Sequence, residues 1–265
     1  MPAFVVGDVH GHLDTLVRLL RDAGLVDRKL RWSGRDVRLW LLGDLVDRGP
    51  DGIGAIDLVM RLEREGHVRC LLGNHEALLL AVSRFASGDV RGIDSVWRSI
   101  WRVNGGQESD LARFRPEHAA WIEQLPAVAR DGDWLLLHSD TDRYLLFGCT
   151  VEEICHAISA VLRTGDADAY EDLFDAVADR SGLDDPAVVD RLLETLGGKR
   201  IVHGHTPITF VTGVEPELVT QPLVYGGGRV LNVDHCLFAG GPGFVTELPV
   251  ASRDEVGTKS SDAAP

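Results

Sequence analysis

The chain has 265 residues, with 27 Lys+Arg against 41 Asp+Glu and a formal net charge of −14. Its length allows a sizeable core, and 45% hydrophobic with 26% charged residues is typical of a folded globular protein. The acidic balance argues against nonspecific nucleic-acid or anionic-membrane binding, because polyanions would be repelled, although bound cations would still attract an anionic substrate locally.

The first third of the chain alternates predicted strands and helices. Ala3–Val6 is a predicted strand, and further strands are expected over 37–42 and 67–72. Between them, apolar residues at helical spacing predict helices over 12–23 and from 50 to about 66, each followed by a glycine. This β-α-β-α-β order predicts an α/β layer with a mainly parallel sheet.

The remaining elements alternate less regularly. Residues 77–130 are predicted to be mostly helical, with Trp97, Trp101 and Trp121 as packing candidates, and a strand follows at Trp134–Leu137. Up to three helices are expected over 151–196. Beyond these, short runs broken by Gly and Pro predict antiparallel strands at 200–202, 209–212, 223–225, 229–233 and 244–248. We expect one domain over 1–250, with helical insertions at about 77–130 and 151–196, and a disordered tail over 251–265.

The cysteine pattern and the hydropathy indicate where in the cell the protein is expected. The four cysteines are scattered, with no Cys-x-x-Cys pair, which favours a reduced, cytoplasmic protein. The apolar N-terminal stretch is too short for a signal peptide, and no uncharged run is long enough to span a membrane. We therefore expect a cytoplasmic protein with no membrane partner.

Four short motifs each follow a predicted strand: GDVHG at 7–11, GDLVDRG at 43–49, GNHE at 73–76 and HGHT at 203–206. His138 follows the strand Trp134–Leu137 in the same way. Loops beyond the carboxyl ends of strands in an open α/β sheet converge on one crevice. We therefore expect two carboxylates, one amide and three imidazoles to meet there, namely Asp8, His10, Asp44, Asn74, His138 and His205.

This donor set predicts a metal centre. Nitrogen and oxygen donors without thiolate suit Mn, with Fe or Zn as alternatives, better than a Ca or Mg cage. Six donors are too many for one structural zinc and fit two ions that share a bridging carboxylate. Two such ions, about 3.5–4 Å apart, can clamp the attacking and leaving oxygens of a displacement at phosphorus. Alone, each motif would be read as a turn or a capped helix, whereas the ordered set of four favours the metal centre.

The motifs resemble the calcineurin-like metallophosphoesterases, specifically the phosphoprotein-phosphatase branch that includes bacterial serine/threonine phosphatases and diadenosine tetraphosphate hydrolases. The resemblance covers residues 3–76, His138 and 203–207, and Pro207 stands where other branches have a further His ligand. It implies an α/β fold with a central β-sandwich of two mixed sheets flanked by helices, and a dinuclear metal centre at the sheet edge. Periodicity alone does not predict the second sheet.

The resemblance also implies roles for individual residues. Asp8 and His10 would hold one metal, Asp44 would bridge both, and the second metal would be completed by Asn74, His138 and His205. His75 matches the general acid and Asp47 the carboxylate that orients it, which agrees with the chemistry because a carboxylate partner raises an imidazole's pKa. Arg48 matches the phosphate clamp. A surface salt bridge is the alternative for Asp47 and Arg48.

The candidate substrate-binding residues are Arg48, Asn74, His203 and Asn104. His203 lies two residues before His205 and would face the same side of a strand, so it either touches substrate, supports a ligand or is a buried structural histidine. Asn104 begins an Asn-Gly-Gly segment that either lines the cleft or forms a helix C-terminal turn.

Taken together, these features predict a phosphate-monoester hydrolase of the serine/threonine phosphatase type. The resemblance implies direct attack by metal-bound hydroxide without a phosphoenzyme, and the partner would be a phosphoprotein or a nucleotide. One alternative is hydrolysis of dinucleoside polyphosphates or a nucleotide cap, for which the segment 97–102 offers aromatic and basic side chains: Trp97, Arg98, Trp101 and Arg102. Another is a catalytically silent metal-binding regulatory module.

Overall fold

A computed structural model describes residues 2–85, 93–180 and 182–249, without the side chains of 93–95, so the tail predicted to be disordered lies outside the described residues. Nine strands occur in these ranges: β1 Ala3–Val6, β2 Arg38–Leu41, β3 Val68–Cys70, β4 Val128–Asp131, β5 Trp134–Leu137, β6 Arg200–His203, β7 Leu223–Tyr225, β8 Val230–Asn232 and β9 Thr246–Leu248.

The strands form two mixed sheets. The first has the order β3-β2-β1-β9, in which β1, β2 and β3 are parallel and β9 is antiparallel to β1. The second has the order β4-β5-β6-β8-β7, in which β5, β6 and β8 are parallel, with antiparallel strands at both edges. The sandwich of two mixed sheets implied by the family resemblance is confirmed.

Strand side chains alternate between two cores. Val5 and Leu136 belong to an apolar cluster contributed by both sheets, whereas their neighbours Val6 and Leu135 pack in the cluster formed with the helices. This alternation follows from the two-residue period of a strand. Both faces of the central strands are therefore buried, which explains why their sequences are almost continuously apolar.

Helices cover the outer faces of the sheets. In the described ranges they are α1 Leu13–Asp22, α2 Gly52–Arg64, α3 Asn74–Phe85, α4 Ile93–Val103, α5 Glu108–Arg113, α6 Pro116–Ile122, α7 Val151–Thr164, α8 Ala167–Val177, α9 Pro186–Leu196 and α10 Ile208–Thr212. The helices predicted in the first third, over 77–130 and over 151–196 are present. None of the described helices is long and apolar enough to cross a bilayer.

Three sequence predictions about secondary structure were wrong. Residues 209–212 form most of the helix α10 rather than a strand, because Pro207 precedes the helix and Gly213 closes it with a φ of 69°. Strand β4 lies at the end of a segment predicted to be helical. The C-terminal strands are not uniformly antiparallel, since β6 and β8 are parallel neighbours.

Candidate metal centre

The predicted donor atoms meet beyond the carboxyl ends of the parallel strands. Asp44, after β2, lies at the middle of the group: its Oδ1 is 3.3 Å from His138 Nε2 and its Oδ2 is 3.7 Å from His10 Nε2. Asp8 Oδ2 lies 3.8 Å from the same His10 nitrogen. The structure therefore brings residues up to 197 positions apart onto one buried edge of the sandwich, where Asp8 also accepts from the His205 backbone N–H.

Two overlapping groups of donor atoms share Asp44. Ligand atoms of His10, Asp44 and His75 lie within 4.8 Å of one another, and so do those of Asp44, His138 and His205. His75 is a poor ligand in the first group, because its Nδ1 is bonded to Asp47 and its Nε2 lies 3.2 Å from the Arg48 guanidinium. Asp8, whose Oδ2 lies near the same His10 nitrogen as Asp44 Oδ2, is the better donor at that position.

Backbone carbonyls orient the three candidate imidazole ligands. A carbonyl oxygen only accepts hydrogen bonds, so His10 Nδ1–H donates to Val46 O at 3.1 Å and His138 Nδ1–H donates to Leu42 O at 2.7 Å. His205 uses the opposite nitrogen, and its Nε2–H donates to Ala178 O at 3.1 Å. Each ring is thereby fixed in the tautomer that leaves its other nitrogen free to bind a cation.

The free ring nitrogens lack hydrogen-bond donors. His138 Nε2 lies 2.9 Å from Asn74 Oδ1, so two acceptor atoms face each other, and His205 Nδ1 is buried without a hydrogen-bond partner among the described residues. Burial lowers the pKa of His10, His138 and His205, which keeps the imidazoles neutral. Neutral, unpaired nitrogens beside carboxylates are what a divalent transition-metal ion requires, so these residues fit a metal pair.

Carboxylates near the centre repel one another. Burial raises the pKa of Asp8 well above its ordinary value, and the charges of Asp234 and Asp44 raise it further. Burial likewise raises the pKa of Asp234 to about 6, and its Oδ2 has no hydrogen-bond partner among the described residues. Bound cations would relieve this repulsion, which is a second reason why the cluster fits metal.

The backbone is strained where it carries the site. The φ angles of five non-glycine residues lie between 45° and 65°, in the left-handed region: His10, Asp44, Asp47, Arg48 and His205. Such a conformation costs about 1–3 kcal/mol per residue and persists only where the surroundings enforce it. Glu76 supplies one such constraint, because its carboxylate accepts from the N–H groups of Gly73, Asp44 and Leu45 at 2.7–3.0 Å and so ties two motif loops together.

His75 and Arg48 lie beside the metal-site donors. His75 Nδ1 lies 2.7 Å from Asp47 Oδ2, and its Nε2 lies 3.8 Å from Asp44 Oδ2. Burial alone would lower the pKa of His75, but the charges of Asp44 and Asp47 outweigh burial and raise it. The guanidinium of Arg48 lies 4.3 Å from the centre of the Phe238 ring, a cation–π contact that holds it at the site.

Two candidate substrate-binding residues are engaged elsewhere. His203 is fully buried, and its ring is held between the Tyr225 hydroxyl at 2.7 Å and the Gly204 carbonyl at 2.9 Å. The Asn104 side chain donates to Ile100 O within its own helix, and only its backbone carbonyl meets Arg48. The hydrogen bonds of the His203 ring thus hold the end of β6, and that of the Asn104 side chain closes the end of α4.

The sequence analysis missed Asp234 and Arg180 as functional candidates, and it named Trp101 only as a packing or base-stacking residue. Asp234 directly follows the strand predicted over 229–233, which is the same signal that identified Asp8 and Asp44. Arg180 donates to the backbone carbonyl of His205 at 2.9 Å, and its charge contributes to lowering the pKa of His205. Trp101 donates to Asp47 Oδ1 at 2.8 Å. No local sequence signal marks Arg180 or Trp101, because both act across the fold.

A separate surface cleft of about 1290 Å³ contains none of these residues. It is lined by residues of β4 and α7 and by side chains that include Trp40, Trp121 and Arg130. Cavity size therefore does not locate the candidate site, whereas the convergence of donor atoms does.

The buried His235, which follows Asp234 in the sequence, leads to a prediction about how stability depends on pH. Burial lowers the pKa of His235 to about 3, and neither ring nitrogen has a hydrogen-bond partner among the described residues. The unfolded chain takes up a proton below its ordinary pKa of about 6.5 whereas the folded state does not, so stability falls as the pH falls. We expect His235 to account for a loss of about 2 kcal/mol between pH 7 and pH 5.

Urea unfolding with EDTA present, at pH 7 and pH 5, measures this loss. In His235→Leu, the difference in the free energy of unfolding between pH 7 and pH 5 should be smaller by about 2 kcal/mol. In His156→Gln, a substitution at an exposed position, that difference should equal the wild-type value. An unchanged pH dependence in His235→Leu would show that His235 is not protonated selectively in the unfolded state.

Comparison with known families identifies the class to which this fold and site belong. Residues 1–208 match the family described as calcineurin-like phosphoesterase. The chain therefore belongs to the calcineurin-like phosphoesterase family, as the four motifs indicated.

Curated relatives carry two kinds of name. The serine/threonine-protein phosphatase 1 of Salmonella typhimurium is 33% identical over 133 residues, which cover 50% of this chain and 51% of that protein. A symmetrical bis(5'-nucleosyl)-tetraphosphatase of Neisseria gonorrhoeae is 30% identical over 139 residues, covering 52% of this chain and 43% of that protein. The chain thus spans about half the length of the curated relatives it matches.

Solved structures agree on the fold. A cold-active protein-tyrosine phosphatase of a psychrophilic Shewanella species superposes with a TM-score of 0.69 at 20% identity, covering 93% of this chain and 75% of that chain. At 20% sequence identity, this similarity supports a shared fold and nothing more.

Proposed function

We propose that this chain is a dinuclear-metal-dependent phosphoesterase that hydrolyses phosphate monoesters of phosphoproteins in the cytoplasm. The observation that carries the proposal is the orientation of three neutral imidazoles, each tied to a carbonyl and turned toward Asp44. When bound, two divalent cations would polarise the phosphoryl oxygens and activate a water molecule for attack at phosphorus. Manganese is the first candidate for this nitrogen and oxygen donor set, with iron or zinc as alternatives.

Most of the site residues would bind the cations or the phosphoryl group, and His75 would transfer a proton. Asp8 and His10 would hold one cation, Asn74, His138 and His205 the other, with Asp44 between them. Arg48, aided by Arg180, would pair with the non-bridging phosphoryl oxygens through charge-assisted hydrogen bonds. His75 would protonate the leaving oxygen from Nε2, since Asp47 holds the opposite nitrogen and favours the charged imidazole.

A phosphate monoester is favoured as substrate because the indoles considered for nucleotide binding are buried. Trp97 and Trp101 are 5% and 0% exposed, so neither can stack on a base. Arg98 and Arg102 both form ion pairs with Glu108. The aromatic side chains on which a nucleotide base would stack in this segment are thus buried, which favours a monoester.

A side-by-side assay of a phosphoserine peptide and diadenosine tetraphosphate, with Mn, Fe or Zn supplied in turn, tests the proposal. We expect at least tenfold higher kcat/KM for the peptide, a difference of about 1.4 kcal/mol. Faster cleavage of the dinucleotide would select the polyphosphate alternative. Rates that do not exceed those of a matched Asp44→Asn preparation with either substrate would indicate a regulatory module.

A further inference from the structure

The indole of Trp101 extends the His75–Asp47 pair into a chain of three residues. Trp101 Nε1–H donates to Asp47 Oδ1 at 2.8 Å, and Oδ2 of the same carboxylate bonds His75 Nδ1 at 2.7 Å. All three side chains are at most 1% exposed. Each oxygen of the Asp47 carboxylate therefore has its own hydrogen-bond partner. Two contacts, rather than one, fix the plane of the carboxylate.

Among the described residues, the hydrogen bonds to the Asp47 carboxylate come from His75 and Trp101. The backbone of Asp47 has a φ of 65°, in the strained left-handed region. A carboxylate bonded through one oxygen is free to rotate about its Cβ–Cγ bond, which would swing the His75 ring with it. The indole N–H blocks that rotation, so His75 Nε2 keeps its direction toward Asp44, 3.8 Å from Oδ2.

The Asn-Gly-Gly segment at 104–106 holds the indole in turn. A Cβ on Gly106 would lie 2.2 Å from carbon atoms of the Trp101 ring, so only glycine lets the backbone pass so closely over its face. The neighbouring Gly105 carbonyl accepts from the Arg48 backbone N–H at 2.7 Å. One short segment thus supports the proton donor through Trp101 and the phosphate clamp through Arg48.

We propose that Trp101 is a positioning residue for the proton donor, aligning His75 through Asp47 with the leaving oxygen of the substrate. This inference rests on the proposed function, since it requires His75 to act as the general acid. Trp101 touches neither substrate nor metal ligands in the proposal, so its effect passes through the Asp47 carboxylate. Its removal should therefore affect the proton-transfer step and spare substrate binding.

Trp97 provides a matched control, one helical turn earlier. It is also a buried indole, but its ring packs on Phe85, Tyr170 and Phe174, away from the site. A phenylalanine at either position keeps an aromatic ring in the core and removes an indole N–H. At position 101 that N–H bonds Asp47, the carboxylate that holds the proposed proton donor.

The experiment compares phenyl phosphate, a poor leaving group, with 2,4-dinitrophenyl phosphate, a good one, at saturating Mn. For Trp101→Phe we expect kcat to fall roughly tenfold with phenyl phosphate and less than about twofold with the dinitrophenyl ester, because only the poor leaving group needs the proton. KM should stay unchanged with both. Trp97→Phe should alter both rates by the same factor, and an equal loss with both esters in Trp101→Phe would overturn the proposal.

A double-mutant cycle provides a second measurement. In a His75→Ala background, Trp101→Phe should cause no further loss with phenyl phosphate, and a further tenfold loss would show that the indole acts elsewhere. If Trp101→Phe does not fold, Gly106→Ala displaces the ring while keeping it, and should give the same dependence on leaving group. A wild type that cleaves neither ester faster than Asp44→Asn would instead contradict the proposed function itself.

Discussion

Replacing Asp44 by Asn is expected to lower kcat for every phosphate monoester by at least about a thousandfold. Removing a residue that only orients a metal ligand typically costs about 10–100-fold in affinity or activity, and Asp44 is the carboxylate shared by both groups of donor atoms. The asparagine keeps the size of the side chain but loses the charge and one acceptor oxygen. Rates with a phosphopeptide and an aryl phosphate, at a fixed Mn concentration, measure the effect.

The metal content of the same variant separates loss of chemistry from loss of fold. We expect Asp44→Asn to retain at most half the divalent metal bound by the wild type, measured by elemental analysis after gel filtration. Asp133→Asn, which removes the carboxylate paired with Lys199 at the β4–β5 turn, serves as control and should keep both metal and activity. Full activity in Asp44→Asn would contradict the assignment of a metal pair around this residue.

The sequence was most informative where strands are buried on both faces. The apolar runs of β1, β2 and β5 stand out because parallel strands between two layers have no polar face, and a polar residue after each run then marks the edge of the sheet. Asp8, Asp44 and His138 were found in this way. Asp234 is likewise a polar residue that follows an apolar strand, β8, so the sequence contained the signal that would have identified it.

Local propensity failed where short segments take their structure from their neighbours. Residues 209–212 are rich in β-branched and aromatic side chains, yet they fold as a helical turn with Phe210 exposed, because Pro207 and Gly213 delimit it. The pairing of β6 with β8 was equally hidden, since 26 residues and the antiparallel strand β7 lie between them. Short strands carry too few residues for periodicity to reveal their neighbours.

The contacts that hold the site residues in position could not be predicted from the sequence, because they join residues far apart along the chain. Trp101 lies 54 residues from Asp47, and Arg180 lies 25 residues from His205. Each contact depends on how a helical segment docks on the sheet edge, which no spacing encodes. The motifs therefore identify the atoms that would meet substrate and metal, whereas the atoms that hold them in position emerge only from the packing.

His75→Ala is expected to give the second largest loss, and one that depends on the substrate. General acid catalysis contributes about 10²–10⁴-fold, so kcat for phenyl phosphate should fall within that range, whereas a good leaving group such as 2,4-dinitrophenolate should be affected little. Wild-type kcat for phenyl phosphate should also decline as the pH rises through the raised pKa of His75, because the acid form is lost. The variant should lack that decline.

Chemical rescue separates the proton donor from a purely structural histidine. Alanine leaves space where the ring stood between Asp47 and the site, so added imidazole should restore part of the rate with phenyl phosphate. Imidazole should not restore Asp44→Asn, whose defect lies in binding cations. Equal losses with good and poor leaving groups, with no rescue, would mean that His75 only holds Arg48 and Asp47 in place, and the proton would then have to come from solvent.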